Sequence, residues 1–391
     1  MLIPRLPVAK YLTVNTLMWG TVMTVTATCT NFSGLMVMRF LLGLVEAVIP
    51  PVFMFVTTCW YTRDEIPLRT GISFAGNAMG GLVASVLAFG AGNIKHHRLH
   101  PWRYMYLILG VATFLWSFVL LTLLPDDIRR AHFLTPDERR LMLERLQREG
   151  IDVDSKSMDD GKINGRLHMM MMECMKDPQT WHTFSLVLLT QISNGGTQTF
   201  SNLVVKSFGF SPLQSTLINI PASILSSTTM ALTGYLARRY GKMHCILIML
   251  ILALSVTGSI LIYNSKVGKA AKLGGYFLLT MGPSALPLIM SLVQANYRGV
   301  NKRSTATAIM FVAYCTGNMV GPQLFRQSEA IYMYPTAFRW ILVCYIISVI
   351  LAGSLRYYLQ WNNKEKEEEV EIGRNEHTRG RDRGGRFLYR L

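Results

Sequence analysis

Two charged residues, Arg39 and Glu46, stand inside the otherwise uncharged apolar stretch Gly34–Thr58. A charge at the centre of a bilayer costs about 2.5–3.5 kcal/mol on insertion scales, so such residues need a reason to be there. Seven residues apart, they share one helix face but lie about 10 Å apart along its axis, too far to pair. Each needs another helix, water or a ligand. Glu46 falls about 12 residues into the stretch, where hydrocarbon favours a neutral carboxyl, and is the candidate proton carrier. Arg39 lies nearer one surface and is a candidate for attracting a carboxylate. For both, the alternative is an anchor that hydrogen-bonds between helices.

A second constellation is uncharged. Gln191, Asn194, Gln198 and Asn202 recur at spacings of three, four and four, which puts four amides on one helical face. Lipid cannot satisfy an amide, so this face must meet protein or a water-filled cavity. It is the strongest candidate for binding a solute. Asn77, Gln294, Tyr314 and Asn318 are isolated polar residues in other apolar stretches that could complete such a cavity, with inter-helix hydrogen bonding as the alternative. Metal chemistry is disfavoured. The run His168-Met-Met-Met-Met-Glu-Cys174-Met175 carries soft ligands suited to copper, yet Met also fills irregular gaps near membranes. His96, His97 and His100 lack Cys or carboxylate partners for zinc. No Ser/His/Asp set or phosphate loop suggests an enzyme.

The elements that position these residues are membrane spans. The chain has 391 residues, 50% hydrophobic and 16% charged, and its charge is clumped. Ten segments are long enough to cross roughly 30 Å of hydrocarbon. They are Tyr11–Cys29, Gly34–Thr58, Gly71–Ile94, Tyr104–Leu124, Pro178–Val205, Ser207–Ala237, Met243–Ser265, Leu273–Tyr297, Ser304–Phe325 and Trp340–Leu355. Aromatic Tyr357, Tyr358 and Trp361 extend the last. The expected fold is an all-α polytopic membrane protein, four spans before a polar segment and six after. The domains read as 1–124, an N-terminal bundle; 125–180, a polar loop; 181–361, a C-terminal bundle; and 362–391, a disordered tail. Within the loop, Thr135-Pro136-Asp137-Glu138 is a helix start with a capping box; Leu141, Leu143 and Leu146 among arginines suit a helix lying on an anionic leaflet, with a linker helix between the two bundles as the favoured reading.

The formal charge of +16 does not point to nucleic acid. The loop after residue 124 holds ten Lys and Arg and the tail after 361 holds eight, so both ends and that loop are expected to be cytoplasmic. No cleavable signal peptide is read, because Pro4 and Pro7 precede an apolar stretch too long for one. The six cysteines lie singly and read as small apolar packers.

Several motifs share one resemblance. Arg39-Phe-Leu-Leu-Gly43-Leu-Val-Glu46-Ala47, Pro50, Trp60-Tyr61, Glu65 and Arg69 resemble the fourth span and following loop of the anion:cation symporter family of the major facilitator superfamily. Trp102-Arg103, Leu124-Pro125-Asp126 and Phe133–Arg139 continue it. Asp177-Pro178-Gln179-Thr180-Trp181, Asn194-Gly195-Gly196, Phe208–Ser211, Gly275-Tyr276, Gly317-Asn318 and Gly321-Pro322-Gln323 look like its allantoate permease branch. The segment Gly234-Tyr-Leu-Ala-Arg238-Arg239-Tyr-Gly241-Lys242 is similar to the superfamily's gating loop motif, with Arg238 where an Asp is usual. The resemblance implies the major facilitator fold and a cofactor-free, proton-coupled symporter for a small organic anion: a ureide, a vitamin-like carboxylate or a short peptide. It implies a monomer in the plasma membrane. Measured against the family's twelve spans, this sequence starts just before the third. Four spans cannot enclose what six do, so poor transport by this chain alone is expected. The alternative function is a transporter-derived sensor or binding protein.

Overall fold

The computed structural model describes residues 8–92, 100–125, 131, 133–148, 172–264, 266–297, 300–326, 328–329, 334–376 and 390. His96, His97, residues 168–171 of the Met-rich run, and most of the polar loop and tail lie outside them. Among the described residues the secondary structure is helical.

Five helices precede the polar loop: α1 (Val8–Thr26), α2 (Phe32–Glu46), α3 (Ile49–Trp60), α4 (Ile66–Gly92) and α5 (Pro101–Leu123). The expected span Gly34–Thr58 is thus one crossing broken into α2 and α3. The cause is Pro50 and Pro51, which cannot donate to the Glu46 and Ala47 carbonyls. Asn15 of α1 donates its amide N–H to the Val45 carbonyl at 2.7 Å, tying the broken turn to its neighbour. The loop helix α6 (Pro136–Arg148) starts where the capping box puts it. The Thr135 N–H donates to the Glu138 carboxylate at 2.9 Å and the Glu138 N–H returns to Thr135 Oγ1 at 3.4 Å.

Seven more helices follow: α7 (Pro178–Ser207), α8 (Pro212–Tyr240), α9 (His244–Tyr263), α10 (Lys269–Leu279), α11 (Ala285–Asn296), α12 (Val300–Val320) and α13 (Pro335–Glu376). Helices α10 and α11 form one crossing, interrupted by a 3₁₀ turn at Gly282–Ser284 that contains Pro283. Asp177 and Ser211 cap α7 and α8, each accepting a backbone N–H from the first turn, and Pro sits at the first position of both. Helix α13 extends past the apolar segment into the tail. It runs on through the charge run Lys364–Glu371, expected to be disordered, as far as Glu376. Lys and Glu are strong helix formers, and Lys364 precedes Glu368 by one turn, so the run prolongs a helix already nucleated in the apolar segment.

Six of these segments meet a strict test of length and apolarity for crossing a membrane; α1, α7, α8 and α12 carry the polar residues that lower theirs. The best-packed core lies in the C-terminal set, around Ile248, Leu252, Leu288, Ile289, Phe338 and Tyr345. The two halves meet chiefly through α4 and α8. There Gly71 and Gly234 face each other, and a Cβ on either would sit 2.7 Å from a backbone carbonyl oxygen of the opposite helix. That backbone-to-backbone seam fixes one wall of the site.

Candidate functional site

A cavity of about 300 Å³ lies between the halves, at the lower end of the range for ligand pockets. Helix α4 contributes Asn77, Gly81 and Ser85; α7 contributes Asn194, Thr197, Gln198 and Ser201. Helix α8 adds Asn219, Ser223 and Ser226, and α10 adds Tyr276 and Thr280. No Lys, Arg, His, Asp or Glu lines it among the described residues. The α7 helix kinks at Phe200 (φ −106°, ψ 15°), beside Gln198 and Ser201. Pro221 interrupts α8 next to the cavity.

Hydrogen bonds join the walls. The Tyr276 hydroxyl donates to Asn219 Oδ1 at 2.6 Å, and Asn219 Nδ2 donates to Asn202 Oδ1 at 2.7 Å. Tyr276 also bonds Ser201. Three helices, α7, α8 and α10, are thus stitched through one amide.

Of the residues singled out by sequence, Asn77, Asn194 and Gln198 line the cavity. Asn202 sits behind it, bonded to Asn219. Gln191 and Asn318 form an amide chain with Asn194 between α7 and α12: Asn194 Nδ2 and Asn318 Nδ2 both donate to Gln191 Oε1, at 3.1 and 3.2 Å. Tyr314 stands one turn before Asn318, and its carbonyl accepts the Asn318 amide at 2.9 Å. Gln294 is inter-helix glue, donating to Thr307 Oγ1 at 2.6 Å.

Arg39 and Glu46 stand apart from the cavity. Arg39 donates to the Tyr106 hydroxyl and lies 5.4 Å from that ring's centroid, so it braces α2 against α5. Glu46 ends α2 with an exposed carboxylate, within electrostatic range of Tyr314 on α12. The broken helix therefore presents its carboxylate to the opposite half.

Sequence reasoning missed Asn219, Ser223, Ser226 and Tyr276. The signal was present: Asn219, Ser223 and Ser226 recur at four and three on α8, the rule that found the α7 stripe. Short hydroxyls hide it, because in a helix they satisfy themselves on their own backbone, as Thr228 does on the Ile224 carbonyl at 2.8 Å.

The sequence model described as Major Facilitator Superfamily matches residues 5–322. The chain belongs to the major facilitator superfamily. An uncharacterised transporter of Schizosaccharomyces pombe is 30% identical over 381 residues, spanning 96% of this chain and 72% of its own length. The allantoate permease of Saccharomyces cerevisiae is 26% identical over 370 residues, 92% of this chain and 66% of its own length. Among solved superfamily structures, the proton:xylose symporter XylE superposes with a TM-score of 0.66 at 13% identity, over 90% of this chain and 79% of that one. The human organic anion transporter MFSD10 gives 0.57 at 15%, over 88% and 79%. Major facilitator proteins are integral membrane transporters and not enzymes, and so is this chain.

The superfamily-like loop motif closes one end of the seam. Gly241, at φ +46°, ends α8 in a conformation that side chains disfavour. Arg238, one turn earlier, reaches the Glu65 carboxylate at 4.0 Å, and Arg145 of α6 reaches it at 3.2 Å. Glu65 belongs to the α3–α4 loop and is 16% exposed. The arginine standing where an Asp is usual thus finds its carboxylate in the other half. Gly234 lies at the inter-half contact, whereas Arg239 and Lys242 complete a basic edge.

Burial alone would raise the Glu65 pKa, but the Thr62 N–H and the Arg145 charge outweigh it and hold the carboxyl below its ordinary value. A depressed carboxyl contributes stability above its unfolded pKa and loses it as pH falls through the folded one. Exposed pairs of this kind contribute about 0.2–1 kcal/mol each. Acidification through that range, or Glu65→Gln at neutral pH, should therefore broaden the distances between spin labels at Asp137 on α6 and Lys242. Identical distributions in both conditions would show that Glu65 holds nothing together.

Proposed function

We propose that this chain forms the solute path of a secondary active carrier that moves a small organic anion together with a proton. One observation carries the reading: an amide- and hydroxyl-lined cavity between the two halves, near the kink in α7 and Pro221 of α8. Alternating access requires a site between rocking bundles, with broken helices around it. Amide N–H and hydroxyl groups can hold a carboxylate without a fixed cation, so the bound anion is released readily when the site opens. The names of two relatives, an allantoate permease and an organic anion transporter, favour the same substrate charge.

In this reading Asn77, Gln198 and Asn219 bind the solute, Asn194 with Gln191, Asn202, Tyr314 and Asn318 shapes its site, and Glu46 carries the proton. Arg39 sets the pose of the Glu46 helix. The Gly234–Lys242 motif gates the end opposite the open state. The excess of Lys and Arg in the polar loop and tail places both ends in the cytoplasm. The carrier is a monomer of the plasma membrane.

The test is uptake into proteoliposomes from a panel of small carboxylates that includes allantoate. It uses this chain and a fusion that carries two N-terminal spans of the permease. Acid outside should drive accumulation of at least one carboxylate, and Asn219→Leu should cut the initial rate about tenfold, since it breaks the two hydrogen bonds that join Tyr276 and Asn202 through Asn219. Absence of pH-driven uptake in both forms overturns the reading.

A further inference from the structure

The amide chain behind the cavity has a polarity, and that polarity constrains the solute. Asn318 Nδ2 donates both to the Tyr314 carbonyl at 2.9 Å and to Gln191 Oε1 at 3.2 Å. Turning the Asn318 amide over would set its Oδ1 against the Tyr314 carbonyl oxygen, two acceptors in contact. Asn318 therefore presents N–H to Gln191, and Gln191 must answer with its carbonyl. Asn194 in turn must offer that carbonyl its own N–H, as it does at 3.1 Å. Assigning the amides from their network leaves one consistent orientation.

The chain of donors ends unbalanced. Asn194 Oδ1 has no hydrogen-bond partner in the protein, and the residue is 8% exposed while bordering the cavity. A buried acceptor left unmade is costly. Its neighbours are held firmly. Gly195 lies so close to Asn318 that a Cβ there would be 2.7 Å from the Asn318 Cα, and a Cβ on Gly317 would be 2.6 Å from that of Gln191. The backbones of α7 and α12 meet at this contact, which sets where the amides stand.

We infer that Asn194 is a specificity-determining residue of the carrier site and requires a hydrogen-bond donor from the solute at its Oδ1. This rests on the carrier reading above and adds to it: the anion must bear N–H or O–H groups beyond its carboxylate. Oδ1 is covered in this state, and the solute reaches it as the cavity opens on the α7 kink. A carboxylate whose body carries only carbonyl and methylene groups leaves Asn194 unmatched. Sites built to bond a donor reject the analogue lacking it far more strongly than apolar pockets reject an extra methyl group.

Two monoanions of one skeleton test this. Hydantoate has NH₂ and NH where levulinate has CH₃ and CH₂. Calorimetric titration of the purified full chain should find hydantoate at least about tenfold tighter, the ratio for one unmatched buried acceptor. Asn194→Leu should bring the two affinities together. Asn318→Ala, which leaves the cavity lining intact, should also shrink the ratio by freeing Gln191 and Asn194 to turn. Equal affinities in the unaltered protein overturn the inference and leave the anion carrier standing. Binding of neither overturns both. A ratio that survives Asn194→Leu and Asn318→Ala places the donor contact elsewhere and overturns the assignment to Asn194.

Discussion

Gly317→Ala should lower the apparent melting temperature of the purified protein by up to about 8 °C, whereas Gly274→Ala should leave it unchanged or raise it. Both positions are helical, so both gain about 0.8–1 kcal/mol of helix propensity from the added methyl group. Their surroundings differ. A Cβ at Gly274 meets nothing within 4 Å; at Gly317 it would lie 2.6 Å from the Gln191 Cβ and 2.8 Å from the Leu188 carbonyl oxygen. The Leu188 oxygen, and the Ile192 nitrogen at 2.9 Å, belong to a helix backbone that cannot rotate away. Overpacking of this kind costs about 1–3 kcal/mol, occasionally more, which outweighs the propensity gain. At about 2–4 °C per kcal/mol for a unit of 150–250 residues, the stated fall follows. The contact also holds Asn318 against Gln191, so the variant should loosen the amide chain. A Gly317→Ala protein that melts no lower than Gly274→Ala would mean that α7 and α12 stand further apart than described.

The membrane architecture was legible because hydrocarbon imposes it. Each of the ten apolar stretches became a helix or a broken pair, and the breaks fell at Pro50–Pro51 and Pro283, where a donor is missing. The α7 amide stripe was legible for the same reason: four amides on one face have no partner in lipid. Its division was not. Spacing puts Gln191, Asn194, Gln198 and Asn202 on one face, but which of them meets the cavity depends on the kink at Phe200 and on what α8 and α12 bring opposite. Between the two readings of Arg39, carboxylate site or anchor between helices, the sequence had no means to choose. A sequence shows that a charge inside a span needs a partner, not that the partner is Tyr106, 67 residues later. In the tail, a charge run that reads as polar loop in isolation stands as helix to Glu376, attached to one already formed.

Glu46→Gln should reduce pH-driven accumulation to simple equilibration while leaving exchange of bound solute partly intact. The carboxylate stands at a helix break, with its own carbonyl lacking the donor that Pro50 cannot supply, so the turn carrying it is softer than regular helix. Its carboxylate lies within electrostatic range of Tyr314 on α12, one turn before Asn318 in the amide chain that leads to the cavity. A charge there opposes burial, at a cost of about 2.5–3.5 kcal/mol for a carboxylate near mid-depth. On the proposed mechanism the halves close over Glu46 only when it carries the proton. Opening on the less acidic side releases the proton and prevents return without another. Glutamine keeps the shape and is permanently neutral, so the halves rock freely and no proton is carried. With one pH unit across the membrane, worth about 1.36 kcal/mol, the unaltered carrier can accumulate solute about tenfold. The glutamine form should stop near an inside-to-outside ratio of one, at an exchange rate within an order of magnitude of the original. The measurement is labelled carboxylate in proteoliposomes, in whichever form, chain or fusion, accumulates it. If Glu46→Gln still concentrates solute with unchanged pH dependence, Glu46 is an anchor between α2 and α12 and the proton travels elsewhere.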